Sequence, residues 1–316
     1  MTYLSTEFDN PWKDILEIYL EEFMIFFFPD VHSLIDWSRG YEFLDQELKQ
    51  VVRDAELGRR FADRLVKVWL KNGKEAKLYI HIEVQGQVEE NFADRIFVYH
   101  YRLFDRYQQP LISLVVFGDD EEDWQPHSYG YELAGCRLSF EFPFVKLLDF
   151  KDKWDELEKS NNPFSIVVRT HLKAIETKWS PKKRLQWKKK LFRALYEANY
   201  SKQQILELFR FLDWVLALPG PETLQFKTFT TEYEEANKMP YITSIERLGI
   251  EQGMLQMAQQ KVVEVLQVRF QEVHKSLEKA IQAISDSALL SKLHKDAILV
   301  ESLEAFEKLL EKPENH

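Results

Sequence analysis

Residues 61–87 read FADRLVKVWLKNGKEAKLYIHIEVQGQ, two runs of strand-forming residues separated by Asn72-Gly73, a strong turn signal. Side chains alternate between the two faces of a strand. In the second run Leu78, Ile80, Ile82 and Val84 therefore share one face, while Lys77, Tyr79, His81, Glu83 and Gln85 share the other. In the first run the apolar set is Val66, Val68 and Leu70. For both sets to face one core, the numbers of paired residues must sum to an even value. A strict two-residue turn would pair Lys71 with Lys74 and flip one strand. Burying branched side chains, about 1.5–3 kcal/mol each, outweighs a preference for one turn type. A three-residue loop or a bulge is therefore predicted, and it sets Asp63 opposite or close to Glu83.

An acid and an amide in mid-strand, in so apolar a setting, are costly unless they bind something. Asp63, Glu83 and Gln85 would place two carboxylates and an amide oxygen on one sheet face, a hard-oxygen site suited to Mg²⁺.

Asp63 followed twenty residues later by Glu83-x-Gln85 on a hydrophobic strand resembles the PD-(D/E)XK nuclease core. The words IHIEVQGQ (80–87), RIFVYHY (95–101, with Arg95 and Tyr99) and TSIERLGIEQG (243–253) resemble the Rpn family of recombination-promoting nucleases, the YhgA-like transposases. The similarity runs from about Asn10 to Ile250. It implies an α/β fold with a restriction-endonuclease-like core, a central mixed sheet flanked by helices, and a helical C-terminal part. It implies a DNA endonuclease dependent on Mg²⁺, with Mn²⁺ as an alternative, linked to recombination or mobile elements. Asp63 and Glu83 would hold the metal, helped by the main-chain carbonyl of Val84. Gln85 stands where Lys is usual; it can orient water but supplies no charge, and Lys67 is the substitute cation if it lies on the Asp63 face. An acid of the first helix, Glu21 or Glu17, would approach the metal. Arg95 would lie near the active face, and His81 would contact phosphate or the attacking water.

Composition sets the bounds. With 316 residues, 45% of them hydrophobic, the chain can bury a sizeable core. The single cysteine, Cys136, excludes an intrachain disulfide and a cysteine-based zinc site, and fits a cytoplasmic setting. No secretory leader is expected. The longest early apolar run, Phe23–Phe28, falls well short of the roughly 20 residues of a membrane span. A net charge of −10 argues against indiscriminate coating of nucleic acid, but a local basic patch survives because screening confines each field to about 10 Å. Gly-rich phosphate loops, HExxH, CxxC and nucleophile-elbow patterns are absent.

In chain order, Asn10-Pro11 opens a helix with Ile15, Tyr19, Phe23 and Phe26 as its apolar stripe. Tyr41–Val52 reads as an opening strand, Asn91–Tyr107 as a helix, and Leu111–Phe117 as a buried strand. Asp119–Asp123 reads as solvent-facing charge, and Leu133–Phe150 as an extension of the sheet. Lys178–Arg193 holds eight basic residues and no acid, with Ser180-Pro181 as a helix start. Leu185, Phe192 and Leu195 give this helix a buried stripe, leaving Lys182, Lys183, Gln186, Lys189, Lys190 and Arg193 as either a solvated face or a DNA-phosphate track. Pro219-Gly220-Pro221 breaks the chain. Met254–Leu310 reads as helices split near Ser285 and Ser291, with Val262, Leu266 and Phe270 turned towards the body or another subunit of a homo-oligomer. The expected organisation is a nuclease-like core over 1–150, a helical extension over 151–250 and a small helical domain over 251–316. Two alternatives stand beside the endonuclease: a nuclease-fold DNA-binding module without catalysis, and a structural protein assembled through its helical tail.

Overall fold

The computed structural model describes residues 11–48, 62–71, 77–270, 273–284, 287–300 and 302–310. The chain divides into two compact units, Met1–Phe229 and Thr230–His316. The first unit opens with helices α1 (Pro11–Ile18), α2 (Leu20–Phe27) and α3 (Pro29–Leu34). Strand β1 (Glu42–Phe43) follows, and then the long strands β2 (Ala62–Trp69) and β3 (Lys77–Gln85). Helix α4 (Phe92–Tyr107) leads to β4 (Leu111–Phe117), the hairpin β5 (Ser128–Leu133) and β6 (Cys136–Glu141), and the short β7 (Phe144–Lys146). Helices α5 (Trp154–Lys159), α6 (Pro163–Glu176), α7 (Pro181–Glu197), α8 (Lys202–Val215) and α9 (Gly220–Asn237) complete it, α9 running on into the second unit.

The main sheet has the order β1-β2-β3-β4-β7. Its first three strands pair antiparallel, while β3–β4 and β4–β7 are parallel, a mixed sheet flanked by helices. The β2–β3 register sums to an even number throughout: Asp63 pairs with Glu83, Val66 with Ile80, and Trp69 with Lys77. Hydrophobic parity, not the Asn-Gly dipeptide, sets the pairing; Asn72-Gly73 itself lies outside the described residues. A parallel β3–β4 pair needs a crossover. Helix α4 supplies it, starting after Asn91 and burying Phe92, Arg95, Ile96, Tyr99 and Leu103.

Both faces of β3 are consequently covered. Phe92 and Ile96 pack with Val115 and Phe117 on the face that carries Glu83. Across β2, α1 meets the opposite face, where Arg64 donates to the carbonyl of Lys13 (2.7 Å). Trp12, Phe164 and Phe211 then join α1 to α6 and α8, with ring centroids 6.4 and 5.5 Å from the indole.

Two expectations about the sheet need correction. Tyr41–Val52 is not one strand: only Glu42–Phe43 pairs with β2, residues 45–48 are helical, and 49–52 lie outside the described residues. The acids there serve Arg64 instead, through Asp45. Leu133–Phe150 only partly extends the sheet. β5 and β6 form a separate ribbon closed by Ala134-Gly135, both at positive φ (50° and 83°), as a two-residue turn of this hand demands; β7 alone joins the main sheet.

The second unit is helical, with α10 (Ile242–Phe270), α11 (Lys275–Gln282), α12 (Ser287–Leu299) and α13 (Leu303–Leu310). Ser291 lies inside α12, not at a break, and Ser285 is outside the described residues. Val262 and Leu266 are spent within the unit's own core, against Leu277, Ile281, Leu290, Leu293 and Phe306, with Phe270 partly buried beside them. Gln259 caps the end of α11 by donating to the carbonyls of Gln282 (2.9 Å) and Ile284 (2.8 Å). Among the described residues no helix is long and apolar enough to cross a membrane.

Candidate active site

Glu83 sits mid-sheet between β2 and β4 and is fully buried. One of its oxygens, Oε1, accepts from the Arg95 guanidinium at 2.8 Å; the other, Oε2, has no hydrogen-bond partner among the described residues. Arg95 is placed by a short chain segment: six residues separate the end of β3 from α4, and the first turn of that helix lies over the strand it has just left. The same guanidinium donates to Gln85 Oε1 (3.0 Å) and, in a forked contact, to both oxygens of Glu89 (2.9 Å each). Gln85 Nε2 donates in turn to the carbonyl of Gln87 (2.6 Å). Burial opposes the Arg95 charge, but Glu83 and Glu89 outweigh it and hold the guanidinium protonated, its pKa raised above the ordinary value.

The remaining candidate residues are placed as follows. Asp63 is the register partner of Glu83; its side chain is outside the described residues. Val84 lies in the ladder between Ala62 and Val116, adjacent in chain to Glu83. His81 is fully buried, its Nε2 3.6 Å from Glu83 Oε2 and its ring edge-on to Tyr99 at 5.7 Å. Lys67 does share the parity of Asp63, but four residues along a strand is about 13 Å. It is paired there with Glu42 (2.6 Å), which raises its pKa. The cation beside Glu83 is thus Arg95. Glu17 is bound to Arg64 (2.6 Å), whose register partner is Ile82, on the face away from Glu83. Glu21 is exposed and lies 3.5 Å from His32. Neither helix acid is brought to Glu83.

Two features escaped the sequence reading. Glu89 completes the clamp on Arg95. At the ends of β4 and β7, Asp119 and Lys146 form a buried ion pair (2.8 Å). Asp119 is therefore not a solvent-facing charge: Lys146 also bonds the carbonyls of Glu121 and Trp124, tying the acidic loop down. No spacing announces such a pair, because its members are 27 residues apart.

Behind His81, on the α4 side, His100 bonds the hydroxyl of Ser113 (3.1 Å), and burial followed by the nearby His81 lowers its pKa to about 4. The unfolded chain then takes up a proton that the folded one refuses, so stability should fall as pH drops from 6.5 towards 4. His171, also held down by burial, acts in the same direction. Urea unfolding at pH 7 and pH 5 should show a smaller pH effect in His100→Gln than in wild type; an equal effect would refute this role.

The basic helix α7 starts at Pro181 after Ser180. Lys182, Lys183, Gln186, Lys190 and Arg193 are exposed, and Lys189 is half-buried with its ammonium 4.9 Å from the Phe229 ring. Lys188 is buried with the apolar stripe and pairs with Asp213 (2.7 Å). Trp187 is a packing residue, edge-on to Trp154 at 5.5 Å.

Fold and cluster together define an α/β domain with a buried acidic centre on the middle strand of its sheet. Residues 28–126, from α3 through β4, match the family model described as Putative transposase, YhgA-like. The matched segment includes Glu83, Gln85 and Arg95. The TSIERLGIEQG word lies beyond it. No curated protein and no solved structure matches the chain.

Proposed function

We propose that this protein is a PD-(D/E)XK-type endonuclease that hydrolyses DNA phosphodiesters with Mg²⁺ (or Mn²⁺), in the service of mobile DNA. The observation that carries the reading is the unsatisfied Oε2 of a fully buried Glu83, directly across the register from Asp63. A buried carboxylate oxygen without a donor is costly, and a hard cation is the partner its chemistry suits. Among the described residues no cluster of three or more His, Cys, Asp or Glu side chains is set for a metal, so the ligand set proposed is Asp63, Glu83 and the Val84 carbonyl. Bound there, the metal would lower the pKa of a water and neutralise charge on the phosphate. The chain's own residues do the rest. Arg95 holds Oε1 and leaves Oε2 without a hydrogen-bond partner among the described residues. Gln85, fixed by Arg95 and the Gln87 carbonyl, orients water. Arg95 also supplies the positive charge that a lysine at position 85 would have supplied.

The exposed stripe of α7 is proposed as the DNA track. Changing Lys182, Lys183 and Lys190 to Gln should weaken binding and flatten its salt dependence by about 0.9 in log–log slope per lost contact. An unchanged slope would make the stripe a plain solvated face.

The Glu83–Arg95 pair itself favours a second reading, a DNA-binding module without catalysis, because the carboxylate already has a cation at 2.8 Å. Nicking of supercoiled plasmid in Mg²⁺, absent in chelator, supports the endonuclease; DNA binding without nicking supports the module.

A further inference from the structure

Among the described residues of the first unit, the buried Lys and Arg side chains other than Arg169 are held by several hydrogen bonds each. Arg95 has four hydrogen bonds, Arg64 is held by Asp45, Glu17 and a carbonyl, Lys146 by Asp119 and two carbonyls, and Lys188 by Asp213 and two carbonyls. Arg169 on α6 is as buried, with 7% of its side chain exposed; its Nε, like that of Arg64, has no hydrogen-bond partner among the described residues, but unlike Arg64 it has no carboxylate within hydrogen-bond distance there either. Its one carboxylate neighbour there, Glu158, is 3.8 Å away and already accepts from the Trp154 indole (2.8 Å). Burial lowers the pKa of the guanidinium. Burying a charged group is costly unless something pairs with it.

Arg169 lines a cavity of about 300 Å³ between α5, α6 and α7. Lys190 and Arg193 also line it, and both belong to the exposed stripe of α7. Glu158 and Glu197 lie there too, so three cations face two acids. Lys190 is backed by Trp187, its ammonium 4.4 Å from the ring, and Lys173 sits 4.1 Å from the same ring. A planar guanidinium with an unpartnered Nε, flanked by two further cations, matches the oxygens of a phosphate group.

We propose that this cavity is a phosphate-binding site, with Arg169 as its buried anchor and Lys190 and Arg193 at its mouth. The phosphate belongs either to a nucleic-acid strand laid along α7 or to a free phosphate compound. Only the first source rests on the DNA reading above.

The test uses the full chain, with inorganic phosphate compared with chloride at equal ionic strength, and a labelled DNA oligonucleotide as a second probe. Phosphate should raise the melting temperature of wild type above that in chloride. Arg169→Met should melt at or above wild type in chloride, since a buried charge held only by a 3.8 Å contact to Glu158 is gone, and should lose the phosphate response. Should Arg169→Met fail to fold, the surface double variant Lys190→Gln/Arg193→Gln should still reduce that response. If the source is a strand, Arg169→Met should also weaken oligonucleotide binding roughly tenfold, the worth of a charged hydrogen bond. A phosphate response lost with Arg169, beside unchanged or absent oligonucleotide binding, keeps the site and assigns it to a free phosphate compound. The proposal is overturned if phosphate does nothing beyond chloride in wild type. It is equally overturned if the response survives in whichever folded variant is tested.

Discussion

Arg95→Met should destabilise the first unit by about 3–5 kcal/mol, the cost of breaking a buried ion pair from one side. Glu83 has no exposed surface and would lose the hydrogen bond that Arg95 makes to it (2.8 Å), while Gln85 and Glu89 lose theirs. The Phe92 and Tyr99 rings lie 5.0 and 5.8 Å from the guanidinium on the same helix. The double variant Arg95→Met/Glu83→Leu should recover much of the loss, since neither charge is then buried alone. Urea midpoints at constant m value give the comparison. A loss below about 1 kcal/mol for Arg95→Met would mean that Glu83 is not held as a buried carboxylate by this contact.

Glu83→Gln separates stability from chemistry. The amide still offers Arg95 an acceptor oxygen, and Arg95 keeps Glu89, so the expected stability cost is only about 1–2 kcal/mol. Activity should fall by roughly a thousandfold, because a neutral amide binds Mg²⁺ poorly and the metal's several kcal/mol of transition-state stabilisation goes with it. Added Mg²⁺ should raise the melting temperature of wild type and leave that of Glu83→Gln unmoved, since a ligand stabilises only the state that binds it. Equal responses would remove Glu83 from the metal site. Outright unfolding of Glu83→Gln would make it a structural residue.

What the sequence disclosed follows from the range of the interactions involved. Period-two alternation in Val66–Leu70 and Leu78–Val84 sufficed to set the β2–β3 register, because a slip of one residue would turn every branched side chain of one strand to the opposite face. The 3.6-residue stripe Phe92, Ile96, Tyr99, Leu103 sufficed for α4. Arg95 is flagged by the resemblance alone; the short segment between β3 and α4 is what the structure adds. Buried charges with distant partners could not: Lys188 with Asp213, Lys146 with Asp119 and Arg64 with Glu17 all look like surface residues until the chain folds back. Glu17 was drawn towards the metal by resemblance, yet the structure gives it to Arg64. Arg169 carried no signal at all, lying in an apolar helix where a lone arginine passes for a solvated one.

The most direct test is the rate of plasmid nicking by wild type and Glu83→Gln, side by side in Mg²⁺ and in chelator, at protein concentrations corrected for the folded fraction. The account predicts Mg²⁺-dependent nicking by wild type and a loss of roughly a thousandfold in Glu83→Gln, with DNA affinity unchanged. Equal nicking by the two proteins, or none by folded wild type that binds DNA, would contradict it.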